Sequence, residues 1–303
     1  MSRAGGTRAA AIVMVLLVLL WGYAWVLAKM ALAYCGPLHL ATIRTAIGTA
    51  ALVPVLLWLR RPLFPQHVRA ALGVGVFQTA LFLLLNNWSL SFGDPGKTSV
   101  LVFTMPFWVL LLAWPLLGER IAPAGWLAVG LAAVGVVLIL EPWTRKSALL
   151  PMLLAVGAGV CWALGVVISK RLKNRHPVDV FNFTFWQMVL GLIPMIAVAV
   201  VVPERPTDWT PAFIGLALLL GVLATAGGWG AWFYVLQRLP AGTTSMSSLG
   251  IPVVALLASA MQMDERHSTT EWAGMALIAA ALALVSWDTI RSRREVAPMM
   301  GQE

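Results

Sequence analysis

Amides, tryptophans and one arginine recur inside stretches of this sequence that are otherwise almost wholly apolar. Gln78, Phe82 and Asn86 stand four residues apart, which puts them on one helix face. Trp21 and Trp25 share a face in the same way, with Lys29 one turn further. Trp162 and Trp229 fall near the middle of their own apolar runs, and Gln187 lies beside Asn182 and Trp186 in another. Ser99 and Phe103 are a further one-turn pair, and Ser245 and Ser248 precede Gly250 and Pro252. Arg44 is seven residues into its run. A side-chain amide cannot be fully satisfied by its own helical turn. An indole face can stack on an aromatic ligand or attract an ammonium group, and a guanidinium matches a carboxylate. The chemistry these types support is recognition of a small amphiphile such as an amino acid. Each also has a plainer reading. Hydroxyls can bond back to their own helix, amides can join helices, and tryptophans can sit in the interfacial belt. Lys29, near the end of its run, is expected to snorkel. For the amides and for Arg44 both readings stay open.

The elements that must position these residues follow from composition. Of 303 residues, 60% are apolar and 11% are charged. A soluble domain carries about 25% charged residues, so this chain cannot cover a soluble surface, and disorder is excluded by the same figures. A membrane-spanning helix needs about 20 apolar residues. Windows of that length fall at 10–32, 38–59, 69–91, 98–117, 123–141, 149–169, 179–202, 211–236, 244–262 and 270–290. The expected fold class is therefore an all-α integral membrane protein with ten transmembrane helices. The alternating segments of a membrane β-barrel are absent. The first run is too long for the core of a cleaved signal and is read as a retained span. Pro106 and Pro252 are expected to kink or unwind spans four and nine. Spans five and ten, with few polar side chains, are expected to lie outside any central cavity.

Charge sets orientation. The net charge is +9. With an N-terminus in the cytoplasm, fourteen of the 21 basic residues fall on the cytoplasmic side and six on the other, with Arg44 inside a span. That bias places both termini in the cytoplasm and leaves no reason to invoke nucleic acid. Cys35 and Cys161 have no metal or redox spacing, and no cofactor is expected. None of the acidic residues lies at the centre of a span. A proton-coupled pump usually keeps a carboxylate or histidine there, so movement down a gradient is expected, with His39 as the residual candidate for a proton site. No phosphate-binding glycine loop with lysine occurs, and no paired carboxylates or serine–histidine arrangement within the spans suggests an enzyme.

The two halves of the chain resemble each other. Thr98-Ser99, Pro106, Glu119-Arg120 and Trp126 match Thr244-Ser245, Pro252, Glu265-Arg266 and Trp272 at a constant offset, which reaches back to Gly75 and Gly221. Trp21 and Lys29 match Trp162 and Lys170. With five spans per copy, the second copy must enter the membrane inverted, a pattern characteristic of secondary transporters with a site near the midplane. The expected units are 9–141 and 149–290, with short tails at 1–8 and 291–303.

These motifs carry a family resemblance. The Trp21-centred first helix, Arg44 in the second, the Thr98-Ser99…Pro106…Leu117-Gly118-Glu119-Arg120 run and its copy ending in Asp264-Glu265-Arg266 make the chain similar to the drug/metabolite transporter superfamily, in its ten-helix EamA-type branch. Within that branch it looks most similar to bacterial amino-acid exporters, including those for aromatic amino acids. The resemblance implies two inverted five-helix repeats around a central cavity. It implies alternating-access export of amino acids or similar solutes across a bacterial inner membrane, with the lipid bilayer as surroundings and no oligomer required. Proton-coupled efflux of drugs or nucleosides is the alternative within the class. An intramembrane enzyme or a non-transporting scaffold is the alternative outside it.

Overall fold

The structure is a computed structural model of the 303-residue chain. It describes residues 3–141, 143, 149–236, 238, 248–263, 265 and 267–296, and side chains are described for these except 3–7, 233, 236 and 288–296. Among the described residues the secondary structure is helical throughout, without strands. Helix α1 is Arg3–Ala31 and α2 is Pro37–Trp58. α3 is Val68–Phe92, α4 is Pro95–Leu117 and α5 is Pro123–Leu140. α6 is Leu149–Lys173 and α7 is Val180–Val201. α8 runs through Pro211–Leu218, Leu219–Gly227 and Gly228–Leu236. α9 is Gly250–Met263 and α10 is Thr269–Val296. Among the described residues, nine of these helices are long and apolar enough to cross a membrane, and α9 is a shorter apolar helix. The expected ninth window began at 244, and 244–247 lie outside the described residues.

Local chemistry sets the helix ends. Pro37, Pro95, Pro123 and Pro211 open their helices, where a missing N–H costs nothing. Asp179 caps α7 by accepting from the backbone of Phe181 and Asn182, and Thr210 caps α8 by accepting from Phe213 N. The outward faces are apolar: Ile12, Val15, Leu16 and Leu19 recur at helical spacing on α1 and are exposed, as lipid contact requires.

Side-chain contacts fix the direction of every helix. At one pole Lys29 meets the last carbonyls of α3, Glu204 meets the first amides of α2, Ser89 meets Pro151 at the start of α6, and Glu265 meets Gly96 at the start of α4. At the other, Asn182 meets the loop before α3 and Lys170 pairs with Glu119. The first is here called the acidic pole and the second the basic pole. Odd-numbered helices run toward the acidic pole and even-numbered ones away from it. Hence α1 and α6, which open the two halves, are antiparallel. Glu119 and Glu265 lie at opposite poles.

Four helices are irregular, in corresponding places. α3 is π-wound over Gly75–Leu81 and α8 over Leu219–Gly227. α4 is interrupted at Phe103 and Thr104, just before Met105 and Pro106, and the chain leaves helical geometry at Leu249, just before Gly250 and Pro252. The interruption expected before Pro106 is present; for the ninth span the residues before Ser248 lie outside those described. Such departures are tolerated at membrane depth only where protein or a cavity lines them, and π turns favour functional sites. Backbones cross closely where α3 meets α7: a Cβ on Gly75 would lie 2.6 Å from the Gln187 carbonyl oxygen. Only glycine permits that approach. α5 and α10 pack against each other, with Ala128, Ala132 and Ile139 meeting Met275, Ile278 and Leu282 in one apolar cluster.

Candidate functional site

The π turn of α8 begins the site. Its wide winding gives carbonyls additional donors: Thr225 Oγ1 bonds Leu220 O at 2.8 Å, and Trp21 Nε1 bonds Ala224 O at 2.8 Å. The indole of Trp21 is thereby held against α8. Its ring meets Trp229 edge-on at 6.3 Å and Trp232 at 5.8 Å. Trp229 stacks on Trp162 at 6.1 Å with 11° between planes, and Trp162 meets Phe82 edge-on at 4.8 Å. Four residues singled out from sequence, Trp21, Phe82, Trp162 and Trp229, thus form one chain of rings. It joins α1, α3, α6 and α8 and is half-buried throughout. Trp229 also walls a cavity of ≈ 290 Å³ with Leu52, Leu56, Phe181 and Thr184. That cavity lies in the basic half of the molecule, near the end of α2 and the start of α7.

Two buried polar atoms, one on α2 and one on α3, have no hydrogen-bond partner among the described residues. Arg44 lies on the strip of α2 between Ala41, which clusters with Ala80 and Leu84 of α3, and Gly48, which abuts Thr225 of α8. Its Nε is buried and makes no hydrogen bond, and no carboxylate pairs with it among the described residues. Asn86 is one turn beyond Phe82, and its Oδ1 is buried without a donor. Unpaired buried polar atoms are uncommon and costly, and both belong to residue types that meet a zwitterion's two ends.

The matches to known proteins agree with this architecture. The EamA-like transporter family model matches residues 8–141 and again 149–287. The chain belongs to the EamA-like transporter family. It is 29% identical to the uncharacterised transporter YvbV of Bacillus subtilis, covering 96% of this chain and 95% of that one. It is 27% identical to YoaV of the same organism over 92% and 96%. A probable amino-acid metabolite efflux pump of Escherichia coli is 26% identical over 93% and 94%. A crystal structure with 18% identity superposes with a TM-score of 0.62 over 92% of this chain and 97% of that one, a likeness of fold. This EamA-like protein is thus a multi-pass membrane transporter of small molecules and not an enzyme.

The remaining sequence-selected residues sit elsewhere. Trp25 is packed in the core against α4 and α9 rather than in the ring chain. Ser99 is fully buried and donates to Gly96 O of its own helix at 2.7 Å. Phe103 stands at the α4 break and lines a hollow of ≈ 130 Å³ with Leu249, Pro252 and Met275. Gln78 packs on Gly165 of α6, and Gln187 is buried where α3 crosses α7. Ser248 stands at the α9 break, and Ser245 lies outside the described residues. Asn182 is glue, donating to the carbonyls of Pro62 and Phe64 at 2.6 and 2.9 Å, and Trp186 holds Leu63 O at 2.9 Å. Lys29 does not snorkel. Its ammonium donates to the carbonyls of Leu90 and Gly93 at 2.8 Å each and of Ser91 at 3.4 Å, because the C-terminus of α3 offers unpaired carbonyls and negative dipole there.

Sequence reading missed the acidic pole. Lys97 Nζ contacts Glu271 Oε1 at 2.5 Å, with both side chains buried. His267 lies beside Glu265 and Glu271 at 3.4 and 3.6 Å, and Ser268 Oγ donates to Glu141 Oε1 at 2.6 Å. The available signal was Ser268-Thr269-Thr270-Glu271, a capping box: Glu271 N donates to Ser268 Oγ and Ser268 N to Glu271 Oε2, each at 3.0 Å. Nearby, Glu204 accepts from Leu38 N and His39 N and lies 3.2 Å from His39 Nδ1. Arg205 holds the carbonyls of Leu32 and Cys35 at the end of α1. Burial pushes the Cys35 thiol up to about 12, with Arg205 opposing the shift and Glu204 adding to it.

Proposed function

We propose that this protein exports amino acids, aromatic and hydrophobic ones included, by alternating access between two inverted units, 9–141 and 149–290, with both termini in the cytoplasm. The observation that carries the reading is the ring chain Phe82–Trp162–Trp229–Trp21, taken with the unpartnered atoms of Arg44 on α2 and of Asn86 one turn beyond Phe82. Rings supply a face for an apolar side chain, each contact contributing about 0.5–1.5 kcal/mol. The guanidinium meets the carboxylate, and the Asn86 carbonyl oxygen accepts from the ammonium. The antiparallel setting of α1 and α6 and the matching irregularities of α3 with α8 and of α4 with α9 support two-fold exchange. So does the name of the Escherichia coli relative, a probable amino-acid metabolite efflux pump.

Transport is passive in this reading. The buried carboxylates Glu141, Glu265 and Glu271 gather at one pole rather than at the rings, where a proton exchanged for substrate would have to be carried. Counterflow in proteoliposomes, with a panel of amino acids, nucleosides and sugars, tests the assignment. Exchange of tryptophan, phenylalanine or leucine without a pH change inside the vesicle is the expected result. Exchange of nucleosides alone, or movement of protons with substrate, contradicts it.

A further inference from the structure

The matched glutamates Glu119 and Glu265 have different surroundings. Glu119 is 40% exposed and pairs with a lysine, Lys170, that is 45% exposed. Glu265 is 2% exposed, beside a His267 that is 1% exposed. The difference extends to the residues that make up the cluster, although Lys29, near Glu265, has a charged counterpart in Lys170. At the offset that relates Glu265 to Glu119, the counterparts of Lys97, Glu271, His267, Ser268 and Glu141 are Thr243, Gly125, Ile121, Ala122 and Trp287. One pole carries a buried ionic cluster, and at the other the matched glutamate keeps only an exposed lysine partner, these five counterparts being uncharged.

The cluster ties a hinged piece to its surroundings. Lys97 lies on the eight-residue segment Pro95–Val102, which ends at the break in α4. Its ion pair reaches the first turn of α10. One residue before it, Gly96 donates its N–H to Glu265 at 3.4 Å, so closely that a Cβ there would lie 2.8 Å from Glu265 Oε2. The hollow lined by Val100, Phe103, Leu249 and Pro252 leaves room at the hinge. Separating Lys97 from Glu271 away from water leaves two buried charges uncompensated, which is far costlier than parting the exposed Lys170 and Glu119.

We propose that the Lys97–Glu271 pair, with Glu265 against Gly96, is a one-sided latch that holds the acidic pole shut and biases the resting transporter toward opening at the basic pole. This rests on the alternating-access reading above. A transporter built from two matched units would otherwise populate its two states nearly equally. The charges that only one unit's pole carries break that balance.

The test uses the full-length protein in proteoliposomes, with Cys35→Ser and Cys161→Ser as background and one reporter cysteine at a time. Thr98→Cys reports on the acidic pole, and Thr184→Cys, in the cavity wall, reports on the basic half. Labelling by a membrane-impermeant maleimide is timed with the reagent on each side. Lys97→Met and Glu271→Gln are each expected to speed labelling at Thr98→Cys at least tenfold and to slow it at Thr184→Cys. The exchanged pair Lys97→Glu with Glu271→Lys should return both rates toward those of the parent. Faster labelling at both reporters means general loosening and overturns the latch, as do unchanged rates. A Glu271→Gln protein that fails to fold, and is not restored by the exchanged pair, also overturns it by assigning the pair to the scaffold. Failure of the unsubstituted protein to exchange any solute in counterflow defeats the transport reading instead, and leaves the reciprocal labelling to decide the latch.

Discussion

Lys29 and Arg44 are cations on successive helices, and the fold treats them oppositely. The ammonium of Lys29 is met by three backbone carbonyls at the end of α3. The buried Nε of Arg44 has no hydrogen-bond partner among the described residues. The difference follows from what each helix faces. α1 passes the end of a helix, which always carries unpaired carbonyls. The Arg44 strip of α2 faces the mid-span stretches of α3 and α8, away from any helix terminus. A charge that completes a helix terminus is structural. One left bare in an interior costs stability and is free for a ligand.

Substitution should separate the two roles. The largest effect is expected for Arg44→Leu: counterflow of carboxylate-bearing solutes should fall about 100-fold, the scale of a lost buried charge contact. The melting temperature should hold or rise, because a central arginine costs about 2.5–3.5 kcal/mol on insertion scales. A destabilised Arg44→Leu protein would show that the guanidinium has a partner after all. Lys29→Met should behave in reverse, losing about 2–4 kcal/mol of stability through bare carbonyls and an uncompensated helix end, while transport per folded molecule stays within about threefold. Unfolding monitored by tryptophan fluorescence in detergent measures both.

Smaller effects refine the contrast. Trp229→Ala should raise KM for aromatic amino acids about 3–10-fold, the value of one ring contact, and leave aliphatic substrates nearly unchanged. An equal loss for both classes would make the ring chain packing rather than recognition. Glu204→Gln should cost about 1 kcal/mol, the scale of a lost helix cap, readable as a lower melting temperature. The least change is expected at Cys35. Its thiol stays protonated until pH approaches about 12, so in a Cys161→Ser background its alkylation should stay slow and nearly flat from pH 7 to 9, where an ordinary thiol accelerates. A steep rise over that range would show the corner between α1 and α2 to be open.

Much of this was readable along the chain. Apolar run lengths marked the spans, and Pro106 marked the interruption of α4. The tryptophans and Phe82 could be named from their places in mid-span. Their mutual contact could not, since Trp21 and Trp229 are far apart in sequence and meet only because α1 packs against α8. Asn182 and Gln187 looked alike as amides in one span. Only the loop lying over the start of α7 distinguishes the one that holds a neighbouring backbone.

The sequence by itself determined that this is a bundle of membrane-spanning helices in two related halves. Hydrophobic length, proline position and charge distribution act locally and need no knowledge of neighbours. Which cation is compensated, which rings touch and which of two matched glutamates is buried were decided by the tertiary structure alone. In a low-dielectric interior a polar group's cost depends on the one or two partners within about 3 Å, and those partners come from helices that the chain reaches only after folding.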